Sequence, residues 1–301
     1  MASTMSTLFS TNFRLERRRV NGIEINVRYD TQRDRPPLLL LHGFPQTHAI
    51  WHDIAARLRS RFTLVMPDLR GYGDSDKPET SADHSVYSKR AMAQDVLALM
   101  HDLGHESFFV CGHDRGGRVA HRLALDAPSA VRALMLLDIS PTLTMYERTT
   151  MEFARLYYHW FFLIQPAPLP ERLIGADPLF YLRKKVGGWG SGGTSFFDPR
   201  ALAEYERCFS EPAAIHAMCE DYRASASIDL EHDRADADKR IVCPVRVLWG
   251  ERGVVNQLFT PVEDWQAKCA AKVTGRTTPT GHYIPEEAPA VLADEIESFF
   301  S

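Results

Sequence analysis

The sequence predicts an α/β fold, a doubly wound and mostly parallel sheet with a helical domain inserted in it. Three observations predict it. Short apolar runs with the flanks of buried strands alternate with helix-compatible segments up to Asp138, which is the pattern of βαβ units. That alternation then stops, and residues 141–240 contain aromatic, helix-compatible stretches broken by Pro-rich and Gly-rich loops. Strand signals return from residue 242, so the insertion is flanked by two parts of one core.

Taken in order, residues 19–21 and 23–29 alternate as half-buried strands, and Arg14 to Arg19 form a short basic cluster best read as a solvated edge. Residues 1–12 carry no packing signal and are expected to fray. Pro37-Leu38-Leu39-Leu40-Leu41 has the length of a strand buried on both faces. Residues 63–66, 108–111, 133–137 and 245–249 continue the strand series. Helices are expected at 89–103, from Arg118 onward, at 146–165 and 201–218, and at the C-terminus from Glu286 to Phe300. The domain boundaries follow: 1–140 first part of the core, 141–240 helical cap, 241–301 second part. Gly187 to Gly193 follows no strand and reads as a flexible cap loop. The acidic stretch Asp229 to Asp238 lacks the glycine and terminal glutamate of a calcium loop and reads as a solvated face.

Charge and cysteine content narrow the function classes. The 39 acidic and 35 basic residues are interspersed and give a net charge of −4, so no nucleic-acid footprint is present. The five cysteines are odd in number and contain no C-x-x-C pair, which argues against a disulfide framework or a zinc site. No window approaches a membrane span and no leader pattern opens the chain, so a cytoplasmic protein is expected. Neither a metal nor a cofactor is expected.

The most specific motif is Gly112-His113-Asp114-Arg115-Gly116-Gly117. It joins a strand pattern to a helix pattern and fits the nucleophile elbow of the α/β-hydrolase fold, with aspartate in the usual serine position. A carboxylate there can displace a leaving group from an alkyl carbon and form an ester, which water must then cleave. That second step needs a base. His282, in Thr280-Gly281-His282-Tyr283, lies where the fold's chain order places it. The orienting acid could follow either of two strands; because Gly253 leaves the usual position after residue 250 vacant, Asp138 is preferred to Glu251. His42-Gly43-Phe44-Pro45 matches the loop opposite the elbow, so the amides of Phe44 and Arg115 are the expected oxyanion donors. Arg115 and Arg118 share a face in the first helical turn beside Asp114. Two guanidinium groups there are better tolerated with an anionic partner, which points to a small carboxylic acid as substrate.

These residues resemble the fluoroacetate (haloacetate) dehalogenases within the α/β-hydrolases. The resemblance spans nearly the whole chain and includes His42-Gly43-Phe44-Pro45-Gln46, Asp68-Leu69-Arg70-Gly71-Tyr72-Gly73, Leu137-Asp138-Ile139, Tyr158-His159-Trp160, Gln165-Pro166-Ala167-Pro168, Ile174-Gly175-Ala176-Asp177-Pro178 and Cys219-Glu220-Asp221-Tyr222-Arg223-Ala224. It implies that Asp114 attacks the α-carbon, that His282 and Asp138 activate water, and that Arg115 and Arg118 hold the substrate carboxylate. It further implies that His159, Trp160 and Tyr222 hydrogen-bond the departing halide, and that the chain forms a homodimer. Gly253 to Asn256 and Tyr283-Ile284-Pro285 do not match closely. Two rival readings stand beside it. A soluble epoxide hydrolase would use the same Asp-His-Asp set with Tyr158 and Tyr222 as paired phenols; a non-catalytic small-ligand receptor would have no use for an intact nucleophile, base and acid.

Overall fold

The computed structural model describes residues 8–190 and 192–301. The strands are β1 (Phe13–Val20), β2 (Ile23–Asp30), β3 (Pro37–Leu41), β4 (Thr63–Pro67), β5 (Phe108–His113), β6 (Val131–Leu137), β7 (Val245–Gly250) and β8 (Val273–Thr278). Among the described residues these form one sheet in the order β1-β2-β4-β3-β5-β6-β7-β8. The β1–β2 and β2–β4 pairs are antiparallel and the rest are parallel. The core helices before the insertion are α1 (His52–Leu58), α2 (Lys89–Asp102) and α3 (Arg115–Asp126). Between β6 and β7 come α4 (Thr142–Glu147), α5 (Met151–Leu156), α6 (Tyr158–Phe162), α7 (Leu169–Ala176), α8 (Pro178–Trp189), α9 (Pro199–Phe209), α10 (Pro212–Ser225) and α11 (Ile228–Ala235). The chain ends with α12 (Val254–Leu258), α13 (Pro261–Gln266), α14 (Ile284–Glu287) and α15 (Pro289–Phe299) around β8.

Strand order positions the site. Leu38 to Leu41 are fully buried, as befits a strand that lies inside the sheet between β4 and β5. From β3 the chain moves outward to β4 and then returns to the other side of β3 as β5, so the carboxyl ends of β3 and β5 flank a reversal of strand order. Ligand sites of open α/β sheets form at such a reversal. The loops that follow the two strands touch: a Cβ on Gly116 would stand 2.4 Å from the carbonyl oxygens of Leu41 and His42, which no side chain tolerates.

Several local expectations are corrected. Residues 1–7 lie outside the described residues, but Leu8 and Phe9 are buried rather than frayed, with Phe9 stacked on His48 and under the Arg28 guanidinium. The basic cluster lies within β1 instead of before a strand; as an edge strand it turns Arg14, Arg17 and Arg18 toward Glu16, Glu24, Asp76 and Asp102. Both long cap stretches are divided. Pro212 cannot donate a backbone N–H and so opens α10 after the break at Ser210 and Glu211. Part of the glycine run is helical, since Gly187, Gly188 and Trp189 close α8. The acidic stretch is not simply solvated: Asp229 is buried against the Lys89 amide, while Asp233 and Asp236 pair with Arg122. No helix among the described residues is long and apolar enough to cross a membrane, and all five cysteines are free and buried.

Candidate active site

Asp114 sits between β5 and α3 with φ 46° and ψ −114°, a conformation that L side chains rarely adopt. Such strain costs on the order of 1 to 3 kcal/mol and persists only where the surroundings enforce it. Here they do. A Cβ on Gly112 would stand 2.6 Å from the Gly116 carbonyl oxygen, and one on Gly43 would stand 2.5 Å from the Asp114 Cβ. The glycines therefore let the turn close and let the loop after β3 reach the nucleophile candidate. Across that contact the Phe44 amide donates to Asp114 Oδ2 at 3.0 Å. For the Arg115 amide, the structure gives its place as the first residue of α3.

His282 pairs through Nδ1 with Asp138 Oδ2 at 2.6 Å. Asp138 ends β6 at φ 52°, and its Oδ1 accepts the Gly250 amide at 3.0 Å. A Cβ on Gly253 would come within 3.2 Å of that same Oδ1, so the vacant position after β7 borders the space that the Asp138 carboxylate fills. Glu251 is exposed and pairs with Arg252. The His282 loop is fixed on all sides. Its amide donates to the Trp189 carbonyl at 2.8 Å, its carbonyl accepts from His113 Nε2 at 2.8 Å, and Glu287 receives the amides of Gly281 and Tyr283.

Electrostatics divides these groups by task. Burial opposes the charged form of Asp114, but His282, Arg115 and Arg118 outweigh it and hold the carboxyl below its ordinary range. Burial likewise disfavours an imidazolium at His282, yet the Asp138 hydrogen bond and charge reverse this and raise its proton affinity. His113 is pushed down to about 3, first by burial and then by His282, so it stays a neutral donor to the backbone.

The two arginines are unequal. Arg115 is fully buried, and Nε and Nη2 form a fork on the Asp221 carboxylate at 2.8 and 2.7 Å. Its Nη1 has no partner. The bidentate grip expected for a substrate is thus already used within the protein, and Arg115 keeps a single free edge. Tyr72 and Lys89 also bind Asp221. Arg118 is 3% exposed and donates only to the Ser140 carbonyl, the Thr142 hydroxyl and the Met145 sulfur. Its guanidinium lies 4.7 Å over the Trp160 ring. Among the described residues no carboxylate pairs with it, and burial followed by the Arg115 charge lowers its proton affinity.

His159, Trp160 and Tyr222 converge from α6 and α10. The Tyr222 ring centroid is 5.6 Å from that of His159 and 6.4 Å from that of Trp160, and Phe44 packs on both His159 and Tyr222. His159 Nδ1 and the Tyr222 hydroxyl are buried without partners. Burial holds His159 neutral and Tyr222 protonated. Tyr158 is elsewhere: it is 43% exposed and covers Lys185, so it does not pair with Tyr222 across the site.

Sequence reasoning missed Trp189 and Asp221. The Trp189 ring lies 4.4 Å from His159 and 5.5 Å from His282, but it was hidden in a glycine-rich run read as a loop. Asp221 has no role legible from the stretch Cys219 to Ala224, and only its spatial fork with Arg115 reveals one.

A family model for the alpha/beta hydrolase fold matches residues 36–289. The chain is 43% identical to a fluoroacetate dehalogenase from Burkholderia sp, covering 95% of this chain and 94% of that one. It is 33% identical to a soluble epoxide hydrolase from Corynebacterium sp. (strain C12), covering 94% and 95%. A crystal structure from Nostoc sp PCC 7120, described as an alpha/beta hydrolase, aligns with a TM-score of 0.94 at 53% identity, covering 97% of this chain and 99% of that one.

Proposed function

This chain belongs to the α/β-hydrolase family, and from that premise we propose that it hydrolyses haloacetates, fluoroacetate among them, through an ester on Asp114. The observation that carries the choice of substrate is Arg118, a buried guanidinium whose protein partners are all neutral. A buried cation in that state is costly, and an anionic substrate removes the cost. Arg115 Nη1 adds one further donor. The dehalogenating relative supports the same reading.

The chemistry follows from where charge moves. Asp114, kept ionised, attacks the α-carbon; the carbon–halogen bond breaks, and the halide takes the bonding pair. Fluoride is small and basic, so its departure needs preorganised donors. The unpartnered Nδ1 of His159, in the tautomer that protonates it, and the free Tyr222 hydroxyl, with the Trp160 indole, are the candidates. His282 then removes a proton from water, and the hydroxide adds to the Asp114 carbonyl carbon. Negative charge collects on Oδ2, where the Phe44 amide donates, with the Arg115 amide as second donor. As the intermediate collapses, the leaving alkoxide takes the proton held by His282 and departs as glycolate, and Asp114 loses its remaining proton to solvent to become a carboxylate again.

Halide release from fluoro-, chloro- and bromoacetate, set beside the corresponding amides and a small epoxide, tests the reading. Fluoride release from fluoroacetate with little from fluoroacetamide is expected. Equal turnover of acid and amide, or turnover of the epoxide alone, overturns it.

A further inference from the structure

The cap holds a buried cation that this reaction scheme leaves without a role. Lys185, on α8, is 3% exposed, and its Nζ stands 3.5 Å from the centre of the Tyr158 ring and 4.8 Å from that of Trp189. Among the described residues no carboxylate pairs with it. Aromatic faces can stabilise such a cation only in part, and burial pushes its proton affinity down to about 7.

Its position gives the cation a direction of action. Trp189 follows one helical turn later on the same helix, and its ring lies against His159 and His282. After burial, Lys185 is the strongest influence holding His159 neutral. His159 in turn keeps Nδ1 free beside Tyr222. The ammonium therefore stands behind the wall proposed to receive the halide.

We propose that Lys185 is a positioning residue for the leaving halide, adding positive potential across His159 and Trp189 and keeping His159 a neutral donor. The proposal rests on the haloacid reading. Fluoride is the poorer leaving group, so more charge has developed on it in the transition state and it gains more from that potential than bromide does. The groups facing Lys185 do not titrate with it: Tyr158 and Tyr181 are raised by burial, His159 is lowered, and Cys219 of α10, near Tyr181, is raised by burial. The charged neighbours Arg183 and Glu206 pair with each other on the outer side.

The test is first-turnover halide release, which reports alkylation alone, from fluoroacetate and bromoacetate between about pH 6 and 9. Wild type, Lys185→Met and Lys185→Arg are compared, with melting curves confirming that each is folded. The ratio of the two rates cancels effects common to both acids. It should fall roughly three- to tenfold in the wild type as pH rises through the lysine titration. In Lys185→Met it should be low, with only the shallower pH dependence that His282 contributes, and Lys185→Arg should restore a high ratio with that same shallow dependence. A Lys185→Met ratio equal to that of the wild type at every pH overturns the role of Lys185 and leaves the haloacid reading intact. No halide from either acid with wild-type enzyme overturns that reading, and the proposal with it.

Discussion

Arg115 and Arg118 are one turn apart, both buried, and differ in what neutralises them. Arg115 shares Asp221 with Lys89, whereas Arg118 has only neutral partners. Breaking a buried pair from one side leaves an uncompensated charge and costs about 3 to 5 kcal/mol. Arg115→Leu should therefore lower the melting temperature as well as activity. Removing Arg118 breaks no direct ion pair, although its charge helps hold Asp114 ionised, so Arg118→Leu should lower the melting temperature less than Arg115→Leu does while losing about 2 to 4 kcal/mol in kcat/KM for haloacetate. Steady-state kinetics and thermal melts of both variants check this; an Arg118→Leu variant with unchanged kcat/KM contradicts it. The sequence placed both arginines beside Asp114 by helical spacing. It could not show that one was already paired, because Asp221 lies on a different element more than a hundred residues away.

At the level of elements, the site depends on a junction among the loop after β3, α14 and the cap. Glu286 of α14 accepts from Gln46 of that loop and from Tyr205 of α9. Burial raises its proton affinity to about 8, even though both hydrogen bonds favour the carboxylate. Between an unfolded value near 4.5 and that folded value, the native state holds a proton that the unfolded chain has released. Stability contributed by this group therefore falls as pH rises across that window. Glu286→Gln keeps the shape without the titration. Its melting temperature should gain on the wild type progressively from pH 5 to pH 8 and hold a constant difference above that. A difference independent of pH contradicts the assignment. β2 to β7 were legible as alternation or as short apolar runs, and α3 from its place after the elbow, whereas β8, exposed along most of its length, carried no such signal and β1 showed it only at its last residues. Breaks in the cap and the short α14 were not legible, since they depend on which aromatic side chains meet in space, as Phe197, Tyr205 and Tyr283 do.

Across the whole molecule, the residues proposed as nucleophile, base and acid come together from the loops after β5, β8 and β6, and the two proposed steps should have different pH limits. Asp114 is held ionised below the ordinary carboxylate range, so the proposed alkylation should persist into acid. His282 must be neutral to take a proton from water, and Asp138 raises its proton affinity. Hydrolysis should therefore fail first as pH drops below His282's raised value. Under those conditions haloacetate should give a burst of about one halide per site followed by a slow phase, whereas near pH 8 release should be linear. Rapid-quench halide measurement at the two pH values checks this; proportional slowing of burst and steady state contradicts it. The pairing of His282 with Asp138 was legible because Asp138 follows a strand directly and Gly253 left the rival position vacant; the catalytic roles given to them and to Asp114 belong to the proposal.

Covalent attack by Asp114 is the central claim, and oxygen labelling tests it most directly. In a single turnover of haloacetate with excess enzyme in ¹⁸O-water, the oxygen that reaches glycolate comes from the Asp114 carboxylate, and the water oxygen remains in the protein. The account predicts unlabelled glycolate and an ¹⁸O-labelled peptide containing Asp114. Labelled glycolate with an unlabelled peptide on that first turnover would mean that water attacks the α-carbon directly, and it would contradict the account.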